Sequence, residues 1–217
     1  MKSARVFLAV VIATQLCLAA RVAQAAPSAL NAFDDAWSKI QDYTVSLRVH
    51  EALGSATQDR TYDYWFRKPH YAKTAITSGD GRGGGAVWVG GSQVSGHQGG
   101  LLSFVHLKVD LHDKRAVSLR GYTLLDGLFP YIIERYRITK GALTERAGPM
   151  QNGEATDEVE LKIANPSNDI TRTVLYLSKS THMPLRQLRY AGDKVVTDET
   201  WTNFHPNVGL KVSDFPF

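Results

Sequence analysis

Between residues 43 and 50 the chain alternates strictly. Tyr43, Val45, Leu47 and Val49 are apolar or aromatic, and Thr44, Ser46, Arg48 and His50 are polar. A period of two places each set on one face of an extended chain, so this is a half-buried strand. Arg60–Thr77 repeats the pattern with aromatics. Tyr62, Tyr64 and Phe66 share one face, while Asp63, Trp65 and Arg67 share the other. Pro69 has no N–H for a sheet ladder, so it ends that strand, and Tyr71–Thr77 returns. With a turn at Gly54-Ser55, the three segments form an antiparallel meander.

Two stretches carry the helical period instead. Pro27-Ser28 suits a helix start, and Leu30, Phe33, Trp37 and Ile40 follow at helical spacing, a helix of about three turns. Its polar face holds Asp34 and Asp35, which suits packing on a sheet better than lying on a membrane. Leu125, Leu128, Phe129, Ile132, Ile133 and Tyr136 predict a second helix near Leu128–Arg137, with Pro130 tolerated in its first turn.

The remaining pattern is again of strands. Gly79–Gly85 is a loop, and Ala86–Val89 and Gln93–Gly96 are short strands around Gly90-Gly91. Leu101–Val117 fits neither period. Glu158–Ile163 alternates, Thr171–Leu177 is apolar on both faces, Leu185–Tyr190 follows Pro184, and Lys194–Phe204 follows a Gly192-Asp193 turn. Strands outnumber helices and do not alternate with them. The expected fold is therefore mainly β (α+β), one strongly curved antiparallel sheet, closed or half-closed, covered by two helices.

The first residues read as an export signal. Lys2 and Arg5 precede Val6–Ala20, apolar apart from Thr14 and Gln15, and Ala23-Gln24-Ala25 has the small-x-small form of a cleavage site. The expectation is a signal peptide at 1–25, cut after Ala25, and a single domain over 26–217. The apolar run is well short of the ~20 residues of a membrane span. The one cysteine, Cys17, lies inside this signal, so the mature chain has none. That excludes thiol catalysis and zinc–cysteine sites. Lys2, Arg5 and Arg21 leave with the signal. Removing these three of 25 basic residues leaves 22 against 21 acidic ones, a net charge of +1. Neither that balance nor any Lys/Arg run suits nucleic acid.

Motifs for chemistry are weak. Gly79, Gly81 and Gly84 satisfy G-x-G-x-x-G, but a strand follows where the dinucleotide fingerprint needs a helix, so a hairpin loop is the better reading. His106, Asp110 and His112 share parity on an extended chain and could converge on a metal, as a metal-dependent hydrolase would require. They lack the spacing of a known metal motif, and a solvated polar face is the alternative. Ser92 and Ser95 lie beside glycines without completing G-x-S-x-G. Asp34-Asp35 and Asp157-Glu158 are sequence neighbours, not a converging pair. The strand aromatics are ordinary core, or together line a cavity for apolar ligands.

Several segments carry a resemblance to a known family. The N-terminal amphipathic helix leads into Tyr43–Val49. Phe66-Arg67-Lys68-Pro69-His70-Tyr71 is a strand ending in a basic-Pro corner followed by an aromatic. Ala86-Val87-Trp88-Val89-Gly90-Gly91-Ser92-Gln93 is a strand-turn-strand, with Gly90-Gly91 where the family often has Asp-Gly. Trp201-Thr202-Asn203-Phe204 and Asp214-Phe215 match a closing strand and a Phe-bearing tail. The layout resembles the periplasmic lipoprotein carriers, the LolA/LolB-like superfamily of outer-membrane lipoprotein sorting, in an uncharacterised branch. The resemblance implies a half-open barrel with helices as a lid, an interior that receives acyl chains, and neither cofactor nor covalent chemistry. It points to a monomeric periplasmic carrier or sensor that binds lipid or lipoprotein acyl chains and could meet a membrane-bound donor or acceptor protein. Tyr62, Tyr64 and Phe66 are the candidate cavity walls, with Trp88, Leu175 and Leu177 beside them. A non-catalytic protein-binding module with a filled core stays open as the alternative.

Overall fold

A computed structural model describes residues 28–100, 104–166 and 168–217. The expected signal peptide at 1–25 lies outside these residues, as do residues 101–103 of the stretch that fits neither period. The chain opens with helix α1, Ala29–Trp37, capped by Ser28, whose hydroxyl accepts from the amide of Asn31. Six strands follow: β1 (Asp42–Leu53), β2 (Ala56–Arg67), β3 (Tyr71–Gly79), β4 (Gly85–Trp88), β5 (Gln93–His97) and β6 (Leu107–Asp110). Helix α2, Phe129–Ile138, has Pro130 in its first turn. Five more strands complete the chain: β7 (Gly141–Gln151), β8 (Glu154–Ile163), β9 (Arg172–Ser178), β10 (Pro184–Ala191) and β11 (Lys194–Pro206).

All eleven strands form one antiparallel sheet in the order β6-β5-β4-β3-β2-β1-β11-β10-β9-β8-β7. Each half is a meander, and β11 joins the halves by pairing with β1 from Tyr43↔Pro206 to Glu51↔Thr197. Strands β6 and β7 remain the two edges, so the sheet is curved but not closed. Among the described residues no helix is long and apolar enough to cross a membrane.

The inner face holds the main core, as the alternation requires: Tyr43, Val45, Leu47 and Val49 of β1 are all buried. Strand β9 is apolar on both faces because both are covered. Leu175 and Leu177 join the main core, while Val174 and Tyr176 pack outside with Leu188. Tyr190 joins that outer cluster, and the Arg172 guanidinium lies 3.6 Å from its ring centroid.

Strand β7 departs from expectation, since the sequence pattern shows no strand there. Almost every β7 residue is exposed, so no face had to be apolar; the backbone ladder to β8 holds it instead. As an edge strand it tolerates Pro149 beside a register shift. Gly148 is needed at that shift, where a Cβ would sit 2.4 Å from Thr156 Oγ1.

Both helices cover one end of the inner face. The Glu145 carboxylate accepts from the Ala29 amide at 2.8 Å, serving the start of α1. Lys68 Nζ donates to the carbonyl of Trp37 at the helix end, at 2.7 Å. Arg137 pairs with Asp34 and so ties α2 to α1. Beneath them Tyr43 is fully buried, stacked on Phe129 with ring centroids 4.9 Å apart and tilted against Phe66 at 5.4 Å.

Candidate functional site

Register orders the inner face into rows across the strands. In the row beneath the helices, Tyr43 lies opposite Phe66, Phe66 opposite Ala72, and Ala72 opposite Trp88. This row is filled. Trp37 covers Phe66 with ring centroids 5.7 Å apart, and Tyr131 meets Trp88 edge-on at 6.0 Å. A shallow cleft of about 480 Å³ runs past Phe66, Trp37, Pro69 and Tyr131.

The rows beyond it are different. Tyr64 lies opposite Thr74, which lies opposite Ala86, and Ala86 faces Gly96, so a large residue is followed by small ones. Tyr62 comes next, between Leu47 and Ile76. Side chains this short leave a gap, and a cavity of about 790 Å³ fills it, between the inner face of β1–β5 and the segment 115–127. Tyr62 and Tyr64 line this cavity with Leu47, Val49, Ile76 and Val94.

The covering segment is pinned down residue by residue. The Thr123 amide and hydroxyl both donate to Asp126 Oδ2, at 2.7 and 2.9 Å, which closes the 3-10 turn Leu124–Gly127. Trp201 Nε1 donates to the Gly127 carbonyl at 3.3 Å. Gly127 itself sits on Tyr64: a Cβ there would lie 2.6 Å from the tyrosine oxygen. The Arg120 amide donates to Glu51 Oε2 at 2.9 Å, and its guanidinium pairs with Asp169.

Toward β11 and β10, within reach of Tyr136 on α2, the inner face turns polar. Glu199 lies opposite Val49 on one side and Gln187 on the other, and Glu51 lies opposite Thr197. Arg189 donates to Glu199 Oε1 at 2.9 Å and to Gln187 Oε1 at 3.0 Å, and Gln187 donates to the Tyr136 hydroxyl at 3.3 Å. The Arg189 guanidinium also faces the Tyr122 ring at 4.2 Å. Burial pushes the Glu199 carboxyl up to about 7, against the pull of Arg189. Burial likewise raises Tyr62 and, more strongly, Tyr64.

The six residues singled out from sequence therefore lie in three places. Tyr62 and Tyr64 border the cavity, Phe66 and Trp88 belong to the aromatic row beneath the helices, and Leu175 and Leu177 are fully buried in the main core. His106, Asp110 and His112 do not come together: β6 spans only Leu107–Asp110, so their common parity is lost at both ends. His106 instead faces His97, with ring centroids 5.0 Å apart, and Asp110 Oδ1 accepts the His112 amide. Among the described residues no three His, Cys, Asp or Glu side chains form a group that could hold a metal. The sequence reading missed Glu51, Asp126, Arg189 and Glu199. Parity carried a signal for two of them: Glu51 continues the series Tyr43, Val45, Leu47, Val49, and Glu199 shares the face of Trp201.

No family model matches the sequence, and no curated protein matches it significantly. Solved structures do match in fold. An uncharacterised conserved protein from Thermus thermophilus is 10% identical, with 85% of this chain and 91% of that one covered and a TM-score of 0.56. A DUF1329 family protein from Desulfovibrio piger is 14% identical over 87% of this chain and 94% of that one, at 0.50. The Pseudomonas aeruginosa MucA/MucB complex is 11% identical over 87% of this chain and 59% of that one, at 0.51. At these identities the likeness is one of fold alone.

Proposed function

We propose that this protein is a non-enzymatic periplasmic carrier or sensor that holds a lipid or lipoprotein acyl chain beneath β1–β5, without cofactor or covalent chemistry. The cavity carries this reading. Its volume of about 790 Å³ is that of a small-molecule site, and aromatic and aliphatic side chains make up much of its wall. Each methylene moved into it contributes about 0.8 kcal/mol. A chain of about twelve carbons thus gains roughly 9 kcal/mol, against an association cost of at least ~4 kcal/mol. On this reading the monomer leaves the cytoplasm by its cleaved signal and meets a membrane-bound donor or acceptor protein.

Native mass spectrometry of protein purified without detergent tests the proposal. Co-purifying lipid, or saturable uptake of a fluorescent fatty acid, is expected; a clean apo mass with no uptake sinks it. The second reading is a protein-binding module, and one observation favours it: the fold is similar to that of MucB, solved together with MucA. It predicts that neither free lipid nor fatty acid enters the protein.

A further inference from the structure

An acyl chain leaves one wall of the cavity without a partner. Glu51 and Glu199 are diagonal neighbours across β1 and β11, 2% and 3% exposed, and both line the cavity, as does Asp126. Most of their oxygens are served from within the protein. Glu51 Oε2 accepts the Arg120 amide, Asp126 takes both Thr123 donors and pairs with Arg135, and Glu199 Oε1 takes Arg189. Among the described residues no donor reaches Glu199 Oε2. Once the group is ionised, a buried carboxylate oxygen without a donor is costly, and the rare cases call for a ligand, ion or water.

The arginines on the same cavity are engaged by other partners, although Arg60 shares a cross-strand row with Val49 and Glu199. Arg60, on β2, donates to the Asp80 carbonyl and the Tyr62 hydroxyl. Arg115 is held by Asp113, and Arg82 lies in the glycine-rich loop. We propose that the cavity takes a single-chain amphiphile with a protonated primary amine as head group, the ammonium donating to Glu199 Oε2 and the chain lying along Tyr62, Tyr64 and Val94. An ammonium has three donors, so it can serve Oε2 and face Glu51 together, which a hydroxyl with one donor cannot. Its charge also favours the ionised carboxylate that burial disfavours. This inference rests on the carrier reading.

Charge linkage gives the inference a signature. A cation beside Glu199 binds the ionised form, so its affinity rises with pH through about 7. Between pH 6 and 8 the ionised fraction, and with it the affinity, rises about tenfold. The groups around Glu199 are Arg189 from β10, Glu51 from β1, Tyr62, Tyr64 and, further along the row, Arg60 from β2, Asp126 from the 3-10 turn and Tyr136 from α2. His97, on β5, also lines the cavity.

The test is calorimetric titration of the full chain with dodecylamine and dodecanol at pH 6 and 8. Dodecylamine should bind at least about tenfold tighter than dodecanol at pH 8, as a charge-assisted bond to a buried carboxylate allows. Its lead should shrink about tenfold at pH 6. In Glu199→Gln, checked for folding by circular dichroism, the amine should fall to the level of the alcohol. Equal affinities in the unsubstituted protein at pH 8, or a pH-dependent lead that survives Glu199→Gln, would overturn the proposal and leave the carrier reading standing. Binding of neither chain would overturn both.

Discussion

Truncating two aromatics of one strand, four residues apart, separates a packed face from a hollow one. Phe66 is 2% exposed, with Tyr43 and Trp37 ring centroids at 5.4 and 5.7 Å. Phe66→Ala opens an enclosed void there and costs about 3–5 kcal/mol. For a domain of this size that lowers the melting temperature by roughly 8–15 °C. Tyr62 already borders the cavity, so Tyr62→Ala encloses no new void. It loses a half-buried ring, an edge contact with Tyr64 at 5.8 Å and a 3.3 Å hydrogen bond from Arg60, together about 1–2 kcal/mol or roughly 3–6 °C. Thermal and urea unfolding of delipidated protein measure both variants. If Tyr62→Ala costs as much as Phe66→Ala, Tyr62 is packed on all sides, the hollow is not there, and the carrier reading goes with it.

Three further predictions follow from named contacts. Glu199 keeps its proton in the folded state up to about pH 7, while the unfolded chain releases it near 4.5. Its contribution to stability therefore falls as pH rises through that window, by about 3 kcal/mol at ~1.4 kcal/mol per unit; Glu199→Gln should remove that slope from urea titrations between pH 5 and 7.5, and an unchanged slope would place it on another group. Gly127→Ala forces a methyl against the Tyr64 oxygen and Leu47 Cδ2, at 2.6 and 3.0 Å, and should lower stability by about 1–3 kcal/mol; an unchanged urea midpoint would show that the covering turn does not rest on Tyr64. Tyr43→Phe removes the acceptor of the Phe129 amide, 3.4 Å away in a buried site, for a loss of about 1 kcal/mol by the same measurement.

The strands that sequence located are those whose inner face had to be apolar. Tyr43–Val49, Glu158–Ile163 and Lys194–Phe204 all lie within observed strands, because one face of each meets the core. Strand β7 was illegible for the same reason: almost nothing on it is buried, so its composition carries no period. Its identity as a strand comes from the β8 backbone, which a pattern of side chains does not report. Periodicity also gave the direction of each side chain but not what it meets. Tyr62, Tyr64 and Phe66 do share a face, yet Phe66 lies under α1 and Trp37 while the other two border the cavity. That difference depends on Ala72, Thr74, Ala86 and Gly96 on neighbouring strands, residues that local patterning treats as unremarkable. Glu51 and Glu199 were the more recoverable omission, since each sits on the inward parity of its own strand.

The make-up of the wall decides what can fill the cavity. The space opens to solvent and its lining is partly polar, so water enters it when no ligand is bound. Glu51, Asp126 and Glu199 can hold water at one wall, but Leu47, Val49, Ile76 and Val94 offer water no partners. An occupant that is apolar along most of its length and polar at one end satisfies both walls at once. The row of small side chains on β3–β5 and the unserved oxygen of Glu199 thus point to one kind of ligand, and each can be tested without the other.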